Sequence, residues 1–149
     1  MHLNHQKIQK FYGKCFLGID MGSKKTGLAL FKPGIDPFVQ IYDQFSHSSE
    51  DKLIKRLEDV IHSESIEILV IGVPYLTDGT SSTQTKKIKK IIAKIQSNFS
   101  HLKIFEQDET LSTYEAEERM KNSPKFNFQI KPEKIDSLSA QIILEDFFS

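Results

Sequence analysis

One cysteine in 149 residues leaves the chain no way to form an internal disulfide. A lone thiol fits a reducing compartment and points to the cytoplasm. Cys15 opens an apolar run and reads as a buried strand residue. Long apolar runs are also missing: none approaches the roughly 18 residues that a membrane-spanning helix needs. No cationic stretch leads into a long apolar segment, so neither a secretory leader nor a membrane contact is expected. Net charge is absent too, with 20 Lys and Arg against 20 Asp and Glu. Nucleic-acid binders are typically basic overall, and the sum counts against that class. The distribution does not. Lys86, Lys87, Lys89, Lys90 and Lys94 crowd together, while Asp108, Glu109, Glu115, Glu117 and Glu118 gather elsewhere. A neutral sum can hide a basic face beside an acidic cleft. No internal repeat and no linker interrupts the chain. Its length suggests one domain with one core over 15–149, behind a flexible polar extension over 1–14.

What is present is a pattern of apolar runs with punctuated ends. The run 15–20 stops at Asp20, a short Gly-containing turn follows, and 26–31 (TGLALF) reads as the returning strand. Residues 38–45 alternate well enough for a third strand after Pro33-Gly34. Together they form an antiparallel meander. Leu53, Ile54, Leu57, Val60 and Ile61 mark a helix over 49–64, with Ser48 or Ser49 as its cap. The unbroken run 66–72 (IEILVIG) predicts a strand buried on both faces. A loop over 74–82 carries Asp78-Gly79. Ile88, Ile91, Ile92, Ile95 and Phe99 then set the stripe of a second helix, with the lysines off it. Residues 102–105 form a short fifth strand, and Ser112 with Glu115 makes a capping box for a helix to 120. A flexible loop over 121–132 precedes a last helix from Pro132 to about 148. The order βββαβαβαα predicts an α/β fold. Its five-stranded mixed sheet, a three-strand meander plus two parallel strands, has helices on both faces.

Acidic residues fall at element ends. Asp20 closes the first strand. Asp108 and Glu109 follow the fifth. Asp136 lies one turn into the last helix, on a stripe with Ala140, Ile143 and Phe147 that faces the sheet. Carboxylates converging there would repel one another and rise in pKa without a cation. Divalent ions, two of them about 3.5–4 Å apart in many such sites, relieve the repulsion and activate water for in-line attack on a phosphodiester.

Four stretches, in order over 16–148, resemble one family. GIDMGSKKTGLAL is similar to the opening motif of the YqgF/RuvX family, pre-16S rRNA nucleases or Holliday junction resolvase-like proteins. VIGVPYLTDGTSSTQT resembles its middle motif, DETLSTYEAE its Asp-Glu-Arg-Leu motif, and KIDSLSAQIILEDFF its closing helix. The resemblance implies an RNase H-like fold and a metal-dependent nuclease. Asp20, Glu109 and Asp136 stand at the catalytic and metal-binding positions, with Asp108 assisting and Mg2+ or Mn2+ as cofactor. Thr110 departs from the usual Arg, and a phosphate contact is lost with it. Ser139 replaces a common Ala.

Groups around the expected cleft extend this reading. Gly18, Gly22 and Gly27 bracket the first hairpin, either admitting a nucleic-acid backbone to Asp20 or serving turn geometry. Gly22, Lys24 and Lys25 on the turn, Asp78 and Thr80 after the central strand, and Lys87 and Lys90 on the lysine-rich helix are the candidate substrate contacts. Tyr75, Tyr114, Phe126 and Phe128 could stack on bases or anchor loops. The expected partner is nucleic acid, with precursor rRNA favoured and branched DNA the alternative. A non-catalytic module that holds structured RNA is the reading of a different class. A resolvase needs symmetric paired cuts and hence a dimer. Phe147 and Phe148 are the sole hint of an exposed apolar patch, so a monomer or weak homodimer is expected.

Overall fold

In a computed structural model of the chain, residues 3–22, 24–74, 83–108 and 112–149 are described, the side chains of 112 and 113 apart. The elements run α1 (His5–Lys10), β1 (Phe16–Met21), β2 (Lys25–Phe31), β3 (Gln40–Ser46), α2 (Glu50–Ser63), β4 (Ile68–Val73), α3 (Thr83–Asn98), β5 (Lys103–Asp108), α4 (Ser112–Lys121), a 3-10 turn (Pro124–Phe126) and α5 (Pro132–Phe147). The strands form one sheet in the order β3-β2-β1-β4-β5. The first three pair antiparallel, and β1-β4 and β4-β5 pair parallel. This is the mixed five-stranded sheet that the apolar runs predict.

Strand alternation divides the core in two. Leu17, Ile19 and Met21 of β1, with Ile71 and Val73 of β4, pack against the apolar stripes of α2 and α3. Phe16, Ala29, Phe31 and Val70 point the other way, onto Ala140, Ile143 and Leu144 of α5. The central strands β1 and β4 are buried along their whole length, as their unbroken apolar runs require. Ser49 caps α2, its Oγ accepting from the Lys52 N–H at 3.2 Å, as its place before an acidic first turn implies. Among the described residues, no helix is long and apolar enough to cross a membrane.

Three expectations are corrected. Residues 3–14 are not a loose extension. Asn4 caps α1, and Lys7 Nζ donates to the Phe147 carbonyl at 2.5 Å. Phe11 is buried in an aromatic cluster, 5.3 Å from Phe16 and 6.3 Å from Phe148 between ring centres. Phe147 and Phe148 are 9% and 0% exposed, so they are core and supply no docking patch. The loop 121–132 contains a 3-10 turn that buries Phe126 against α4 and α5. In the first two cases the ordering contacts come from residues far away in sequence, and in the third from the two helices that flank the loop.

Ser139 lies wholly buried on α5, and its hydroxyl has no hydrogen-bond partner among the described residues. A buried hydroxyl without a partner carries its desolvation cost uncompensated. Ser139→Ala is expected to raise unfolding free energy by about 0.5–1 kcal/mol, read from the urea midpoint at unchanged slope.

Candidate active site at the ends of β1 and α5

The site begins with a row across three strands. Asp20 of β1 pairs with Gly27 of β2, and Gly27 with Gln44 of β3. All three point to the face covered by α5. Gly27 matters because of what it lacks. A β-carbon there would overlap the Asp136 carbonyl and the Ser137 nitrogen of α5. The helix start therefore seats on bare backbone, beside Asp20 in the neighbouring strand. Gly18 does the same further along, where a β-carbon would lie 2.6 Å from Leu144 Cγ. Gly18 and Gly27 thus admit α5, not a nucleic-acid backbone, and neither is a turn residue. Gly22 is: its N–H donates to the Lys25 carbonyl at 2.8 Å to close the β1-β2 turn, and a β-carbon would crowd that oxygen.

Gln44 fixes the helix over this seat. Lys131, at the α5 N-cap, supplies no side-chain capping bond. One turn in, the Gln44 Oε1 accepts from the N–H groups of Asp136 and Ser137 at 2.9 and 3.0 Å, and its Nε2 donates to the Pro132 carbonyl at 3.2 Å. A side chain from the edge strand thus bridges the helix ladder between the Pro132 carbonyl and the N–H groups of Asp136 and Ser137, 88 or more residues later. Sequence reasoning missed this residue, since a glutamine in an ordinary strand carries no signal. Gln44→Ala should cost about 1–2 kcal/mol for the lost bonds, lowering the melting temperature by about 2–8 °C. A melt unchanged from wild type would contradict this anchoring role.

Asp20 is buried, at 8% exposed, and Asp136 is half-buried. Burial pushes the Asp136 carboxyl above the usual carboxylate range, and the Lys25 ammonium partly offsets it. Two carboxylates drawn from water on the α5 face, at the end of a central strand, are oxygen donors of the kind a hard divalent cation takes. Among the described residues, no three His, Cys, Asp or Glu side chains gather into a metal-binding group. Glu109, the third expected acid, lies outside them, as do Asp78, Thr80, Tyr75 and Thr110.

Asp108 is placed differently from expectation. It pairs with Val73 at the end of β5, and Ile104 and Val73 of that alternation pack against the α2-α3 core. Asp108 thus belongs to the face opposite Asp20. Register, not nearness in sequence to Glu109, decides this.

The candidate cations flank the same turn. Lys24, Lys25 and Lys87 line a cleft of about 1050 Å³ that opens between the β1-β2 turn, the end of β3 and the starts of α2 and α3. Lys90 is exposed on α3, one turn from Lys87, and Lys94 is tied to Glu50 at 2.9 Å. Tyr114 and Phe128 are exposed, 62% and 61%, while Phe126 is core.

Comparison with known proteins agrees with this architecture. The family model described as "RuvX: Holliday junction resolvase" matches residues 14–149. A protein of Synechocystis sp. named "Putative pre-16S rRNA nuclease" is 31% identical over 88% of this chain and 84% of its own length. One of the same name from Crocosphaera subtropica is 34% identical over 88% and 90%. Among solved structures, T. thermophilus RuvC in complex with a Holliday junction substrate superposes with a TM-score of 0.58 at 10% identity, covering 91% of this chain and 94% of that one. The yeast mitochondrial Holliday junction resolvase gives 0.54 at 12%, covering 96% and 82%. At those identities the likeness shows the fold, which is RNase H-like. Matched from residue 14 to its last residue, the chain belongs to the RuvX family.

Proposed function

We propose that this chain is a divalent-metal-dependent nuclease that hydrolyses RNA phosphodiesters, in cytoplasmic maturation of the 5′ end of precursor 16S rRNA. The observation that carries the reading is the seating of Asp136 over Gly27, beside the buried Asp20. Relatives named as pre-16S rRNA nucleases favour RNA over DNA. Residues 15–149 form the nuclease domain in this reading, and residues 3–14 are packed onto it.

Asp20, Glu109 and Asp136 would hold Mg2+ or Mn2+. Such an ion, when bound, supplies Lewis-acid stabilisation of the phosphoryl oxygens and a nucleophilic water at neutral pH. The chain's own residues do the rest. Asp20 and Asp136 present carboxylate oxygens from elements that Gln44 and the sheet hold rigid. Lys24 and Lys25, on the turn beside Asp20, neutralise phosphates flanking the scissile one. Lys87 and Lys90 extend that contact along α3, with the Gly22 turn and the Asp78-Thr80 loop at its margins.

A resolvase of branched DNA is the second reading, favoured by the family description. It requires a dimer for paired cuts, and the aromatic pair that suggested one is buried. The test offers purified protein both precursor rRNA and a four-way DNA junction, with Mg2+ or Mn2+ and with chelator. Chelator-sensitive cleavage of the RNA is expected. Symmetric cutting of the junction alone would overturn the RNA assignment, and no cutting of either would favour a binding module.

A further inference from the structure

The cleft of about 1050 Å³ lies on the α2-α3 side of the sheet, away from Asp20, yet shares the β1-β2 turn with it. Its floor is apolar and partly aromatic, with Phe45, Leu53, Ile88 and Ile91. Its rim is cationic, with Lys24, Lys25, Lys52, Arg56 and Lys87 against one acid among the described lining residues, Glu50. That acid is already engaged by Lys94, and Arg56 is held by Asp43 at 2.6 Å. Lys24, Lys52 and Lys87 are left facing a cleft whose base is greasy, while Lys25 also acts on the Asp136 carboxyl.

Two rings give the floor a shape. Phe45 and His47 lie 6.2 Å apart at 62°, and the Arg56 guanidinium sits 5.3 Å from the Phe45 centre. His47 is fixed by its Nε2, 3.0 Å from the buried Thr26 hydroxyl. Burial, helped by Lys87, holds the imidazole pKa below its ordinary value. A neutral ring beside an aromatic one suits a flat, weakly polar ligand, and the lysines suit its phosphate. That combination of stacking platform and electrostatic rim is how single strands are held. A base-paired duplex keeps its bases stacked inside and offers no ring to such a floor.

We propose that this cleft receives one unpaired nucleotide of the RNA strand, its base against Phe45 and His47 and its phosphate against Lys24 and Lys87. The assignment rests on the nuclease reading and deepens it. The strand crosses the β1-β2 turn, with its scissile phosphate on the Asp20 side and an unpaired neighbour in the cleft. The enzyme then selects substrates single-stranded next to the cut.

The test uses full-length Asp20→Asn protein and single-stranded RNA carrying 4-thiouridine, photocross-linked and mapped by mass spectrometry. An adduct within residues 45–47 is expected, and it disappears when the same sequence is annealed into a duplex. In fluorescence polarisation, Phe45→Leu weakens single-strand binding roughly tenfold. Lys87→Gln, on an exposed helix position, weakens it and lowers the salt slope by about one. Adducts only elsewhere, or equal affinity for duplex and single strand, overturn the proposal. So does adenosine monophosphate binding as tightly as the strand, which would make the cleft a small-molecule site. Cleavage that survives both chelator and Asp20→Asn would sink the metal-dependent chemistry at Asp20 without moving the cross-link. Cleavage lost in both, with adducts outside the cleft, sinks only this inference.

Discussion

Asp20→Asn is expected to lower cleavage about a thousandfold while single-strand RNA affinity holds or rises. The asparagine keeps the shape but loses the anionic oxygen that would anchor a divalent ion. Removing about 4 kcal/mol of transition-state stabilisation gives a factor of that order. Affinity holds because the phosphate contacts come from lysines, and it can rise because one negative charge near the backbone is gone. The measurement is single-turnover cleavage beside a binding isotherm. A variant with undiminished cleavage would remove Asp20 from the chemistry.

Asp136→Asn should share the loss of cleavage and add a thermodynamic signature. In the native state burial raises the Asp136 pKa, so the folded protein holds this proton more tightly than the unfolded chain. Stability therefore falls as pH rises from the unfolded carboxyl value through the folded one. Above that window the ionised, half-buried carboxylate penalises the fold. In metal-free buffer near pH 7, Asp136→Asn is expected to melt above wild type. The difference closes as pH drops below the ordinary carboxylate range. Added Mg2+ or Mn2+ should raise the melting temperature of wild type and not of the variant. The same advantage at every pH would show that the carboxylate's charge is not the cause.

Gly27→Ala is the second large effect, and it acts through shape alone. The added methyl would meet backbone atoms of Asp136 and Ser137, not the pliable end of a side chain. Relief requires the start of α5 to lift from the sheet, which strains the Gln44 bonds to the same two N–H groups. Overpacking of this kind costs about 3 kcal/mol or more, a drop of roughly 6–12 °C for a chain of this size. Cleavage should fall along with stability, because lifting α5 carries Asp136 away from Asp20. A thermal melt and a cleavage assay at a temperature where the variant remains folded separate the two losses. A Gly27→Ala variant with wild-type melting and activity would contradict the seating of α5 described above.

Periodicity made much of the fold legible. The run 66–72 is apolar at nearly every position because β4 is covered on both faces, and it lies in the sheet as β4. Leu53, Ile54, Leu57, Val60 and Ile61 all point inward from α2. Such patterns are read within one element and need no knowledge of its neighbours. Helix α1 was not legible, because six residues carry too little period and its order comes from Phe11 meeting Phe16, Phe147 and Phe148. The side of the sheet that Asp108 takes was not legible either, because it follows from the pairing of β5 with β4 and not from any run within one element.

The amino-acid order alone determined the five strands and the four longer helices, and that Asp20 would stand at the end of β1. Those are local consequences of apolar spacing and of charge seeking an edge. Only the tertiary structure decided which acids share a face, why Gly27 has no side chain, and that a strand glutamine would secure a distant helix. Those depend on register and helix seating, which are set by contacts between residues far apart in the chain.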